Sequence, residues 1–196
     1  MLNLQAQRIA SFFVASKVVN KEDEEVYVYG LELLLSTIIN IAIVILVSIF
    51  LNRFFESVAF TIFFAILRTY AGGYHAKTHL KCILTFQAIY LGNLWILSIL
   101  PTNEYLLAVT INLVLSITIV FVLGPVEHEN KPLTQEEYND FGKKGYYIAL
   151  GQAAFLVSGL FLIPTFMTVT LAASLGMLMA SFSACYAKIL KLSEGR

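Results

Sequence analysis

Apolar residues run along this chain in long uncharged stretches, and charge is confined to short clusters between them. A bilayer-spanning helix needs roughly 20 predominantly apolar residues. Leu33 to Leu51, Cys82 to Asn103 and Tyr105 to Val126 each meet that length. Tyr146 to Ala187 is uncharged throughout but too long for one span, and Pro164 divides it near Tyr146–Leu162 and Thr165–Ala187. Ser57 to Leu67 is apolar but short, with Glu56 before it and Arg68 after it. It reads as a short span, a re-entrant segment, or the start of a longer tilted helix that carries Arg68 toward the interface. Short polar-flanked segments at membrane depth persist only where protein or water shields them. The pattern therefore predicts an all-α polytopic membrane protein with about six membrane segments.

The first 30 residues follow a different pattern. Ile9, Phe12, Phe13 and Val19 fall on one helical face, while Gln5, Arg8, Lys17 and Asn20 lie elsewhere on the turn. Residues 1–30 thus read as an amphipathic helix, lying on the membrane surface or packed against the bundle. The apolar stretch Ile9–Ala15 is too short and too interrupted for a cleavable signal. Lys21 to Glu25 reads as a solvated connector. No internal repeat is visible, so 1–196 is expected to form one membrane domain. Within it, 31–190 would make the transmembrane bundle and 124–145 its one sizeable loop.

Lysine and arginine placement sets orientation. Arg8, Lys17 and Lys21; Arg68, Lys77 and Lys81; Lys131, Lys143 and Lys144; and Lys188, Lys191 and Arg196 form four basic clusters. The turns near Pro101 and Pro164 have no basic residue, and the turn near Asn52 has only Arg53. If the short segment crosses, the clusters fall on one side. Both termini and the 124–145 loop would then be cytosolic.

Composition agrees with lipid as the solvent. The 196 residues are 58% hydrophobic and only 13% charged, with a mean hydropathy of +0.76. Soluble domains carry about 25% charged residues, and a chain this short has no core large enough for the surplus apolar surface. The formal net charge of zero gives no basic excess for nucleic acid. Two distant cysteines, Cys82 and Cys185, make no disulfide framework, and Cys185 is expected to be a buried thiol in the last span.

The chemistry concentrates between Arg68 and Cys82, where one Arg, two His, two Lys and one Cys sit around a Gly72-Gly73 helix breaker. Ionisable groups at membrane depth are expensive and default to functional hypotheses. Three readings compete. In the first, Cys82 is a nucleophile with a histidine base, since an imidazole and nearby cations supply a thiolate. In the second, His75, His79 and Cys82 bind zinc or copper. At i, i+4 and i+7 on one helix, however, the outer two lie about 10.5 Å apart at about 1.5 Å rise per residue. In the third, the cysteine is a small buried hydrophobe and the histidines are interface residues. The same helical geometry limits the first reading. A Cys82–His75 pair requires a bend between them, whereas a continuous helix makes His79 the nearer partner at i+3.

The string Arg68-x4-Gly73-x-His75-x6-Cys82 resembles the core of the accessory gene regulator protein B (AgrB) family, membrane cysteine peptidases of Gram-positive peptide quorum sensing. The size, the amphipathic N-terminus, the multi-span layout and Asn130-Lys131-Pro132-Leu133 after a span resemble it too. The residue-level match covers about 15 positions plus that loop. The resemblance implies that Cys82 attacks a backbone carbonyl of a propeptide and that His75 is the general base. Arg68 and Gly73 match motif positions, while His79 lies outside the pattern and remains a rival base. Glu56, Gln87 and Asn93 are candidates to orient the imidazole. Substrates of the family carry an amphipathic leader and an acidic tail, which Lys77, Lys81 and Lys131 would attract. The implied product is a cyclic thiolactone or lactone. The implied assembly is a homodimer in the bacterial cell membrane, with the active site at the cytosolic face and no cofactor or metal.

A different class of function, a small peptide permease or exporter, would place polar groups along several spans near the midplane. Here they gather at one end of the spans. Asn40, Asn93, Asn112 and Gln152 lie inside spans and are expected to hydrogen-bond between helices. His128, beside Glu127 and Glu129, reads as a solvated loop residue.

Overall fold

The computed structural model describes residues 2–74, 76, 78–126, 134–162 and 166–193. The described residues are helical with no strand, in seven α-helices: α1 Leu2–Ala15, α2 Glu24–Phe50, α3 Phe54–Ala71, α4 His79–Ile99, α5 Tyr105–Leu123, α6 Gln135–Leu162 and α7 Met167–Ser193. Short 3₁₀ turns at Lys21–Asp23 and Thr102–Glu104 lead into α2 and α5. Among the described residues, five segments are long and apolar enough to cross a membrane: Lys21–Phe50, Phe54–Ala71, His79–Ile99, Thr102–Leu123 and Met167–Ser193. The expected Tyr146–Leu162 segment is the apolar half of α6.

The short apolar segment follows the third of its expected readings: it lies within a longer, 18-residue helix, α3, with Arg68 in its last turn. Two boundaries differ from the sequence expectation. The N-terminal helix stops at Ala15, not near residue 30, and residues 24–30 open α2. The chain reverses between them, with Lys17 at φ 58°. The loop expected over 124–145 is shorter, because residues 135–145 are already helical. Thr134 starts that helix with a capping box: Thr134 Oγ1 accepts from the Glu137 N–H at 3.2 Å, and Glu137 accepts from the Thr134 N–H at 2.9 Å.

The chain divides into two compact units. The first comprises residues 1–50 and 76–88. Here α1 lies on α2 through Ala6 and Ala10, both buried, while Phe12 is exposed. Ile9 and Phe13, half-buried, share the face of Ala6 and Ala10, so of the apolar helical residues expected together only Phe12 turns outward. Ser11 Oγ donates to Glu24 at 2.7 Å and fixes the pair. Gln87 Nε2 of α4 donates to Asn40 Oδ1 of α2 at 3.0 Å.

The second unit, residues 51–75 and 89–196, is built around α7. Ala172, Ala173, Gly176, Ala180 and Ala184 are buried, and small residues let neighbouring backbones approach closely. A Cβ on Gly176 would stand 2.5 Å from the Phe60 carbonyl oxygen of α3. Asn112 of α5 donates to Ser174 of α7 at 3.0 Å, and Gln152 of α6 donates to the Phe63 carbonyl of α3 at 3.2 Å. Asn40, Asn112 and Gln152 thus make the interhelical bonds expected of them. Asn93 is buried, yet neither of its amide atoms has a protein partner. Cys185 is half-buried rather than buried.

Candidate functional site

The Arg68–Cys82 window joins α3 to α4, and each unit holds part of it. In the second unit, α3 ends where Gly72, at φ 75°, turns the chain. That conformation favours glycine, and a Cβ there would also meet the Val126 carbonyl oxygen at 2.2 Å. Val126 N–H donates to the Ala71 carbonyl at 3.0 Å, so the start of the α5–α6 connection is tied to the turn. Gly124 ends α5 at φ 63°. There Lys188 of α7 donates to the Leu123 carbonyl at 2.7 Å, as a cation at a helix C-terminus should.

Arg68 reaches from the last turn of α3 to the segment after the glycines. Its Nη1 donates to Ser183 Oγ at 3.0 Å, and its Nη2 donates to the Tyr74 carbonyl. The Tyr74 N–H points to the Ser183 carbonyl and to Ser183 Oγ, each at 3.1 Å. Gly73 lies under this arrangement: a Cβ there would stand 2.8 Å from Ser183 Oγ and 3.5 Å from the Arg68 guanidinium carbon. The Tyr74 ring meets Tyr186 edge-on, with centroids 5.2 Å apart. Arg68 and Gly73 are therefore brought together, with Ser183 and Tyr186 of α7 as neighbours that the sequence reading missed. No local pattern signals them, because they follow Tyr74 by more than a hundred residues.

In the first unit, Thr78 begins α4: its Oγ1 accepts from the Lys81 N–H at 3.3 Å, and its carbonyl accepts from the Cys82 N–H at 3.0 Å. Cys82 is a free, half-buried thiol in the first turns of α4, and Lys81 is exposed beside it. His79 is the first residue of the helix. Glu32 of α2 accepts a hydrogen bond from its Nε2 at 2.8 Å, with the Glu32 side chain 12% exposed. Glu32 was also missed. Its signal was present, a single carboxylate at the edge of a long apolar run, but the expected span began one residue later. Among the three residues weighed as imidazole-orienting groups, Glu56 pairs with Arg53 at 3.1 Å. Gln87 bonds Asn40, and Asn93 has no protein partner.

His75, Lys77, Lys131, His128 and Pro164 lie outside the described residues. The helix boundaries still bear on the chemistry. α3 ends at Ala71, α4 begins at His79, and the described residues between them are not helical, the kind of break that a Cys82–His75 pair requires.

Comparison with known proteins agrees with this layout. The family model for accessory gene regulator B matches residues 6–184. Among curated proteins, AgrB-like proteins of Listeria welshimeri serovar 6b and Listeria innocua serovar 6a are each 29% identical over 136 residues, 68% of this chain and 65% of theirs. An AgrB-like protein of Listeria monocytogenes serotype 4b is 27% identical over the same share. The matched region thus spans about two thirds of the length of these relatives. No solved structure matches. With the family model covering nearly the whole length, this chain belongs to the accessory gene regulator B family.

Proposed function

We propose that the protein is a membrane-embedded cysteine endopeptidase that cleaves a small propeptide and forms its cyclic product in agr quorum sensing. Family membership supports the quorum-sensing role. The observation that carries the chemistry is the string Arg68-x4-Gly73-x-His75-x6-Cys82 falling across the helix break between α3 and α4. In this reading, His75 takes the thiol proton and the Cys82 thiolate attacks the scissile carbonyl. The tetrahedral adduct collapses as the imidazolium returns that proton to the leaving amine. The tail departs as a free amine, and the N-terminal part stays as a thioester on Cys82. The thiol of a cysteine within the propeptide then attacks the thioester and restores the Cys82 thiol, which closes a thiolactone. A serine in that place closes a lactone.

The propeptide leader would lie on the same membrane surface as the site, which raises its effective concentration without a deep pocket. Lys77, Lys81 and Lys131 would draw the acidic tail. The basic clusters favour a cytosolic site with both termini in the cytosol. A homodimer follows from the resemblance alone. One observation favours a variant of this scheme. Glu32 grips His79, and a carboxylate that fixes an imidazole tautomer is the third element of many nucleophilic sites. In that variant His79, three residues before Cys82, is the base.

The test is intact mass measurement of the reconstituted protein in vesicles after addition of the precursor peptide encoded beside its gene. The expected result is an enzyme adduct equal to the N-terminal part of the precursor, with release of the tail, absent in Cys82→Ala. Loss of the adduct in His75→Ala but not in His79→Ala assigns the base to His75, and the reverse assigns it to His79. Intact precursor with folded wild-type protein would overturn the peptidase reading in favour of transport.

A further inference from the structure

We propose that Ser183 of α7 is a positioning residue of the site, acting with Arg68 to fix the peptide bond that attaches His75 to the chain. The inference rests on the peptidase reading with His75 as base. Its ground is a closed set of contacts within the second unit. The Tyr74 carbonyl belongs to the Tyr74–His75 peptide bond, and Arg68 Nη2 donates to it. The other nitrogen of the same guanidinium donates to Ser183 Oγ at 3.0 Å. That hydroxyl also accepts from the Tyr74 N–H at 3.1 Å, and the Ser183 carbonyl lies 3.1 Å from the same N–H. Tyr74 is therefore held at both its N–H and its C=O, by one planar fork and one hydroxyl.

The chemistry of the groups suits this task. A guanidinium presents donors in a rigid fork, so two acceptors in its plane fix its orientation. A hydroxyl has two acceptor lone pairs, and here two donors converge on it. Gly73 has to be glycine for the same reason: its Cβ would take the space of the Ser183 hydroxyl. Gly72 and Val126 anchor the near end of the segment. A general base must sit within hydrogen-bond reach of the proton it removes. The clamp holds the backbone of Tyr74, the residue directly before His75 in the sequence. The contacts that define the role of Ser183 are with Arg68 and Tyr74, so the contribution proposed for it is to orientation.

The experiment uses the full chain in vesicles and single-turnover formation of the Cys82 adduct across a range of precursor concentrations. Ser183→Ala should lower the saturating rate by about 10²-fold, the scale of a small misplacement of a catalytic group, with half-saturation unchanged. Ser183→Thr, which keeps the hydroxyl, should restore the rate. A wild-type rate in Ser183→Ala overturns the proposal. So does equal slowing in Ser183→Ala and Ser183→Thr, or a change in half-saturation alone. If Ser183→Ala does not fold, the near-isosteric pair Ser183→Val and Ser183→Thr decides on the same criterion, and equal rates overturn it. Absence of any adduct in the wild type overturns the peptidase reading and this proposal with it. Turnover in the wild type with an indifferent Ser183 overturns this proposal only.

Discussion

Helices α2 and α7 have the same length, 27 residues, and opposite surroundings. α2 is the more apolar, yet only 17% of its spanning window is buried, against 67% for α7. The large side chains of α2, such as Ile38, Ile45, Leu46 and Ile49, are exposed, whereas its buried residues are Glu32, Ser36, Val44 and Ser48. α7 buries alanines, a glycine and the serines Ser174 and Ser181, together with Leu171, Leu175, Met177 and Leu178. Lipid tails are as apolar as leucine, so apolarity gives two membrane helices no reason to meet. Small residues and hydrogen bonds do. Along α2, then, small and polar residues mark what packs, and α7 adds small residues to its buried leucines and methionine. Glu32 sits on the buried side of α2, and Ser183 lies on α7 beside the buried Ala184.

The sharpest way to break this comparison is to add bulk at the α3–α7 contact. A Cβ on Gly176 already meets backbone, with the Phe60 carbonyl oxygen at 2.5 Å and the Phe64 nitrogen at 3.2 Å. Backbone does not turn aside as a side-chain tip would, so Gly176→Leu should force the helices apart. The expected cost is about 3 kcal/mol or more, the upper range for overpacking. It should show as loss of the monodisperse folded species in detergent and a collapsed thermal melt. A melt close to wild type would mean that α7 is not the packed centre of its unit.

A smaller effect is expected at the polar contact of α2. Glu32→Ala leaves the His79 N–H without its acceptor in a largely buried position, at a cost of about 1–3 kcal/mol. Glu32→Gln retains an acceptor oxygen and should recover part of that loss. The two melts, read beside adduct formation, separate structure from chemistry. If both variants acylate at the wild-type rate, the pair only anchors the first turn of α4. If Glu32→Gln is stable but slow, the carboxylate serves the reaction and the His79 variant of the mechanism gains ground.

Much of this was legible in the sequence because lipid leaves a strong one-dimensional record. The runs at Leu33–Leu51, Cys82–Asn103 and Tyr105–Val126 correspond to α2, α4 and α5, within a few residues for α4 and α5, while α2 begins well before its run, at Glu24. Helix ends were harder. The charge at Arg68 made Ser57–Leu67 look truncated, but a helix continues through a charge whose guanidinium finds partners, here Ser183 and the Tyr74 carbonyl. The polar string 135–145 reads as a loop by composition, yet it is helical and opens with the Thr134–Glu137 capping box, whose T-x-x-E spacing was there to be read. The motif residues were also legible, since their spacing is local. Their supports were not. Ser183 meets Arg68 across 115 positions of sequence, and only tertiary packing makes that neighbourhood. Glu32 lay at the border of a predicted span, where a carboxylate usually marks the water interface rather than a buried partner.

The mildest change sharpens the comparison most. Leu46 of α2 is 68% exposed, so truncating it to alanine exchanges contacts with lipid for other contacts with lipid. In a water-soluble core the same substitution costs about 2–5 kcal/mol. Here the side chain meets an apolar solvent both before and after folding within the membrane. Leu46→Ala should therefore shift stability by less than about 0.5 kcal/mol, as for an ordinary surface position, in a melt measured in bilayer-like lipid. A clear loss would mean that this face of α2 is not lipid-facing and that a protein surface covers it. A second copy of the chain, expected from the family resemblance, is the first partner to test, by asking whether the loss depends on protein-to-lipid ratio. A loss that grows on dilution in lipid would place Leu46 in an interface between copies. A loss indifferent to dilution would place it inside one chain and make α2 a packed helix like α7.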